Sequence, residues 1–176
     1  MKDVPSDPLS PGSVDPAVFR DVVGRFATGV LVATTRSGGV DHAMTVNAFT
    51  SVSLDPLLVL ICAERISRFR DAVRDSGTWA VSVLSTAAVE AAQRFAVRGH
   101  SLDGHLRDIP HHHGAHTGLP ILDHALAAVE CATYAVHDGG DHDIVVGRVL
   151  NVTTPDGEAA PLIYHGGRYR TLHDGD

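Results

Sequence analysis

The chain has 176 residues, 44% of them hydrophobic and 20% charged, which suits one soluble domain with a real core. Its formal charge of −7 argues against a nucleic-acid binder, because phosphate neutralisation needs a basic face and none is visible. The longest uninterrupted apolar run, Pro56 to Ala63, is far too short to cross a bilayer as a helix.

Residues 1–14 are polar, with prolines and serines, and are expected to be a disordered N-terminal tail. They lack the charged-then-apolar pattern of a signal peptide, so a cytoplasmic location is expected, with residues 15–176 forming the domain. Asp15-Pro16 predicts a helix start: the carboxylate caps free N–H groups and proline presets φ. Phe19, Val22, Val23 and Phe26 recur at helical spacing, an apolar face expected to cover the end of a barrel.

After Gly29 the period changes to that of strands. Val30 to Thr35, a Ser37-Gly38-Gly39 turn and Val40 to Thr45 predict a hairpin. Further strands are expected at Phe49–Ser53, Leu57–Ala63, Trp79–Leu84, Ala127–Val136, Ile144–Thr153, Leu162–Tyr164 and Arg168–Leu172. Two more helices are predicted, one from Ser67 to about Arg74 and one over Ala87–Val97 with Val89, Ala92 and Ala96 on one side. Many short strands with few helices predict a mainly β closed barrel with peripheral helices. Residues 99–119 are expected to be a long loop, after which Gly118-Leu119-Pro120-Ile121-Leu122 returns the chain to the core.

Cys62 and Cys131 have neither CxxC nor zinc spacing and read as buried thiols in a reducing compartment. Of the fourteen basic residues only Lys2 is a lysine, and the densest group is Arg65, Arg68, Arg70 and Arg74. Six of the twelve histidines, at 100, 105, 111, 112, 113 and 116, crowd one segment. Without defined ligand spacing or a nearby cysteine, that segment predicts adventitious metal binding rather than a metal centre.

Several positions have both a structural and a ligand-binding reading. Thr28, Gly29 and Val30 mark a helix-to-strand junction where backbone approaches a ligand closely, or simply a helix end. Thr45, Val46, Asn47, Ala48, Thr50, Ser51 and Ser53 put small donors along a short arc, or form a polar strand edge with Asn47 in a turn. Ser67 with Arg65 and Arg68 makes a phosphate-binding helix N-terminus, or an ordinary N-cap. Arg94, Phe95 and Arg98 border the same site or decorate a helix surface. His142, between two aspartates, is a structural surface group or a functional imidazole. No GxGxxG or GxxxxGK(S/T) occurs, which removes most support for an ordinary dehydrogenase.

Taken in order and spacing, Phe26-Ala27-Thr28-Gly29-Val30, the run from Met44 to Leu60, and Gly140-Asp141-His142-Asp143-Ile144-Val145-Val146-Gly147-Arg148-Val149 resemble the short-chain flavin reductase family. The resemblance spans about residues 16–172 and implies an FMN-binding split β-barrel of Greek-key type, commonly a homodimer in which both chains contribute to the cofactor clefts. It implies an NAD(P)H:flavin oxidoreductase that takes hydride from NADH or NADPH, reduces FMN or FAD, and supplies a partner monooxygenase. For the flavin it implies contacts from Thr28, Gly29, Val30, Thr45, Val46, Asn47, Ala48, Thr50, Ser51, Ser53, Cys62, Ala63, Ser67, Arg68 and Arg98. His142 is implied to face the nicotinamide, with Tyr164, Arg168 and Tyr169 touching the dinucleotide; a plain hairpin closing the barrel is the other reading of that C-terminal element. Hydride transfer between two cofactors needs stacking and orientation more than a strong acid or base, which accounts for the lack of a triad. The chain departs from the family after the Phe-Ala helix, where Leu102-Asp103-Gly104-His105 replaces an Asp-Arg-Phe-like element. The rival readings are a non-catalytic flavin carrier or sensor, a split-barrel oxidase acting on a pyridoxal-type phosphate, and metal storage in the histidine-rich segment.

Overall fold

The computed structural model describes residues 14–99, 106–155 and 157–172. Apart from Val14, the expected tail lies outside the described residues, as do His100, His105 and the Leu102–His105 element. The chain runs through α1 (Pro16–Val23), β1 (Thr28–Gly29), β2 (Leu31–Ser37), β3 (Val40–Val46), β4 (Phe49–Leu54), β5 (Leu57–Glu64) and α2 (Arg68–Ser76). It continues through β6 (Thr78–Leu84), a 3₁₀ turn at Thr86–Ala88, α3 (Val89–Ala96), β7 (His111–His113) and β8 (Pro120–Leu122). β9 (Ala125–Gly139), β10 (His142–Thr153), β11 (Leu162–His165) and β12 (Arg168–Thr171) follow.

Seven strands form one antiparallel sheet in the order β3-β2-β6-β9-β10-β5-β4. Its two terminal strands are consecutive in the chain and joined only by Asn47 and Ala48. In a flat sheet they would lie about 29 Å apart at roughly 4.8 Å per strand, whereas three Cα steps span at most about 11 Å. The sheet must therefore curl until its edges meet, giving a barrel split where Asn47-Ala48 crosses. A three-stranded sheet, β1-β11-β12, and the β7–β8 pair complete the fold.

Alternation along β2 shows how the core divides. Leu31 and Ala33 join Val59, Ile61, Trp79, Val81, Cys131 and Val145 in one cluster that Phe69 and Val73 of α2 complete. Val30 and Val32 point the opposite way, into a cluster with Leu84, Ala88, Ala91, Ala92 and Phe95 of the α3 region. β2 is therefore buried on both faces, which explains its unbroken run of inward residues. The caps behave as the sequence predicts: Asp15 Oδ1 accepts from Ala17 N at 2.7 Å, and Ser67 Oγ from Arg70 N at 3.2 Å.

Four expectations change. The apolar face of α1 covers nothing in the single chain: Val18, Phe19, Val22, Val23 and Phe26 are all exposed. His111–His113 is a strand, because its backbone pairs with Pro120–Leu122 and its imidazoles find local partners: His111 Nδ1 on Ile109 O, His112 Nδ1 on Asp123 and His113 Nδ1 on Gly118 O. On α3 the buried side chains are Ala91, Ala92 and Phe95, whereas Ala96 is exposed. Of the two cysteines only Cys131 is fully buried, its thiol pushed up to about 12 by burial and by Glu130; Cys62 is half-buried.

Candidate active site

A cleft of about 540 Å³ opens beside the split in the barrel. One wall is β3 from His42 to Val46, continued by Asn47 and Ala48. Because β3 is a terminal strand, every second main-chain group along this wall has no neighbouring strand to bond. A row of backbone donors and acceptors therefore borders the opening. Across from it stand Cys62 and Glu64 of β5, then Ile66, Ser67 and Arg68 leading into α2. Phe95 to Gly99, the end of α3 and the residues after it, also line the cleft, and Arg98 there pairs with Glu64. Asp141 and His142, at the β9–β10 turn, and Arg20 of α1 line it too, His142 lying opposite Glu64 on the neighbouring strand.

His142 opens β10, and its Nδ1 donates to Asp141 Oδ1 at 2.7 Å. A carboxylate only accepts, so Nδ1 carries the proton and a neutral ring keeps Nε2 as its acceptor. The same bond holds the Asp141 carboxyl below the usual carboxylate range. Arg98 pairs with Glu64 Oε1 at 2.5 Å. His42 is held below the ordinary imidazole value by burial and then by Arg68, against a smaller opposing pull from Asp41. Burial pushes the Cys62 thiol up, which favours the uncharged form.

The cleft gathers many of the expected residues: Thr45, Val46, Asn47, Ala48, Cys62, Ser67, Arg68, Arg98 and His142. Two of their hydroxyls are already committed to the fold. Thr45 Oγ1 donates to Ala92 O at 2.7 Å, tying β3 to α3, and Ser67 Oγ donates to Glu64 O at 2.7 Å. Thr50, Ser51 and Ser53 lie on exposed or half-buried β4, outside the cleft lining, and Ala63 is buried in the barrel core.

Thr28, Gly29, Val30, Tyr164, Arg168 and Tyr169 form a separate group on or beside the three-stranded sheet. There Thr28 pairs with Tyr164, and Tyr164 and Tyr169 meet edge to face at 5.7 Å. None of these residues lines the cleft. Val30 is buried, which leaves only its backbone for a ligand, and that backbone already bonds Leu162 O and Leu84 N.

The dense arginine group divides in the same way. Arg65 Nε, Arg70 Nε and Arg74 Nη1 all donate to the buried Asp143 carboxylate, at 3.2, 2.6 and 3.0 Å, so only Arg68 of the four faces the cleft. Sequence reasoning missed Arg20, His42 and Glu64. His42 and Glu64 had a usable signal, since each lies on a strand at an even offset from a predicted contact, four residues from Val46 and two from Cys62 respectively. Arg20 had none. Among the described residues no group of three or more His, Cys, Asp or Glu side chains is arranged to hold a metal ion.

With that geometry in place, similarity to known proteins is specific. Residues 23–173 match the family model described as a flavin reductase like domain. An NADH-dependent flavin reductase of Rhodococcus sp is 36% identical over 168 residues, covering 92% of this chain and 91% of that protein. HsaB of Mycobacterium tuberculosis, the reductase subunit of a flavin-dependent monooxygenase, is 34% identical and covers 89% of this chain and 82% of its own. Among solved structures, the Streptomyces globisporus NADH:FAD oxidoreductase SgcE6 in complex with NAD and FAD fragments superposes with a TM-score of 0.85 at 37% identity, covering 92% of this chain and 96% of that one.

Proposed function

The chain belongs to the flavin reductase-like domain family, and from that premise we propose that it transfers hydride from NADH or NADPH to FMN or FAD in the cleft described above. The observation that carries this reading is the meeting, in one cleft, of the open edge of β3, the N-terminus of α2 with Arg68, and the His142 turn. The volume of about 540 Å³ suits a ligand of mononucleotide size, since such sites usually enclose about 300–1,000 Å³.

Bound flavin supplies the ring that accepts the hydride. The chain's own residues hold, orient and balance charge. The Thr45–Ala48 backbone, whose Asn47 O and Ala48 O already accept from Phe49 N and Cys62 N, offers its remaining groups to a flat polar edge. Arg68 and the first N–H groups of α2 would hold a phosphate, where helix dipole and guanidinium act together. Arg98 reaches the same cleft with part of its charge balanced by Glu64. His142 presents Nε2 as an acceptor for the carboxamide N–H of a dihydronicotinamide, which orients that ring rather than removing a proton.

The proposed reaction is of the EC 1.5.1 kind, and a flavin-dependent monooxygenase receives its product, as the name of HsaB suggests for that protein. The chain acts in the cytoplasm. It works as a homodimer: an exposed apolar stripe on α1, with Val52, Leu54 and Leu57 exposed at the β4–β5 hairpin, supports burial against a second copy. Light scattering on the purified protein reads the mass directly, and a monomer at micromolar concentration refutes the dimer.

Anaerobic mixing with NADH and NADPH in turn, following flavin bleaching, tests the activity. His142→Ala should lower turnover while leaving flavin affinity unchanged. Failure of the purified chain to take up flavin at saturation, or no bleaching with either nicotinamide, overturns the proposal; an unchanged His142→Ala rate overturns the role given to His142.

A further inference from the structure

His142 sits at the start of β10, next to a hairpin turn that residues outside the hairpin hold in place. β9 and β10 run 15 and 12 residues and meet in a two-residue loop, Gly140-Asp141, with His142 opposite Gly139. Gly140 has φ +84° and Asp141 does not share the positive value, the pattern of a type II′ hairpin turn. From His137 to Asp141 the tip is exposed, and an exposed hairpin tip is where strands fray first.

One residue from outside the hairpin grips this tip at three points. Arg65 donates its backbone N–H to Asp141 O at 3.0 Å, its Nη2 lies 2.7 Å from Asp138 Oδ2, and its Nε donates to Asp143 Oδ1 at 3.2 Å. Asp138 in turn accepts from Gly140 N at 2.8 Å. The contacts bracket His142 on both sides. Strand alternation separates the two roles: Asp143 and Val145 point into the barrel end that α2 plugs, and His142 points to the cleft. Asp143 is almost wholly buried and also held by Arg70 and Arg74, so Arg65 grips an anchor that is itself fixed.

We infer that Arg65, anchored on Asp143 and Asp138, is the positioning residue for His142: it fixes the turn that aims the imidazole into the cleft. Arg65 itself does not line that cleft. The inference rests on the proposed role of His142 and is tested so that the two fail separately. Misplacing a catalytic-site group by about 1 Å costs up to ~100-fold in rate.

The test is Arg65→Gln in the natural and the His142→Ala backgrounds. It leaves Asp143 its bonds from Arg70 and Arg74. With His142 present, kcat/KM for NADH should fall about 10- to 100-fold while the flavin Kd is unchanged. With His142→Ala, the same change should lower it less than about twofold, because there is no imidazole left to aim. An equal loss in both backgrounds, or no loss in either, overturns the inference. If His142→Ala alone leaves turnover intact, the reading of His142 fails instead.

If the double variant is too slow to measure, the side-chain ¹⁵N spectrum of His142 decides. A single Nδ1-protonated tautomer in the natural protein should become a mixture in Arg65→Gln, and an unchanged pattern overturns the inference. Should Gln unfold the turn, Arg65→Lys keeps the charge but loses the fork. It should show a smaller loss, again confined to the background that has His142, and a loss equal in both overturns the inference.

Discussion

Gly147 leaves no room for even one methyl group. A Cβ there would stand 2.8 Å from Cys131 Cβ on adjacent β9 and closer still to the six-membered ring of Trp79 on β6, the next strand over, both fully buried. Neither neighbour is the free end of a flexible side chain, so Gly147→Ala must displace β10 or the indole. Overpacking of this kind costs about 1–3 kcal/mol. In a domain of this size each kcal/mol lowers Tm by roughly 2–4 °C, so the variant should melt about 2–12 °C lower. Trp79 is the only tryptophan in the chain, so its emission follows the damaged site directly. In the double variant Gly147→Ala/Trp79→Phe, followed by circular dichroism, the loss should be smaller than the sum of the two single losses, since the shorter ring vacates part of the contested space. A Gly147→Ala protein melting within about 1 °C of the natural one refutes the argument that close approach dictates glycine here.

Two further outcomes follow from buried or paired carboxylates. Glu130 accepts from Thr117 N and Oγ1, His116 N and Asn151 Nδ2; burial pushes its pKa up, but these bonds outweigh burial and hold it below the ordinary glutamate value. Its contribution is therefore complete above that ordinary value and disappears as pH falls through the lower folded one. Glu130→Gln should cost ~2 kcal/mol at neutral pH by urea unfolding, with the gap to the natural protein narrowing in acid; a gap independent of pH contradicts this. Glu64→Gln frees Arg98 from an exposed ion pair worth at most about 1 kcal/mol. It should tighten FMN binding by up to about fivefold while leaving riboflavin, which lacks the phosphate, unchanged in a fluorescence titration. Equal changes for both ligands, or weaker FMN binding, refute a phosphate contact by Arg98.

Much of the architecture was legible because its signals are local. Asp15-Pro16 and Ser67 cap their helices through bonds spanning two or three residues. Ser37-Gly38-Gly39 turns β2 into β3 where expected. The Thr45–Ala48 wall and His142 reach one cleft. What the sequence hid depends on partners far along the chain. Arg65, Arg70 and Arg74 look like a phosphate cluster until Asp143, 69 to 78 residues away, takes up all three. Three consecutive histidines show no β-propensity and become a strand only because Pro120–Leu122 returns alongside. Thr45 offers a ligand hydroxyl in sequence and spends it on Ala92 O in the fold.

By itself, then, the order of residues determined most of the strand and helix segments, their caps and turns, and the family, since these rest on periodicity and on short motifs. Only the tertiary structure decided which polar groups remain available at the cleft. That choice depends on which donors and acceptors are brought within about 3 Å of one another when the sheet closes, and short-range pattern carries no record of it.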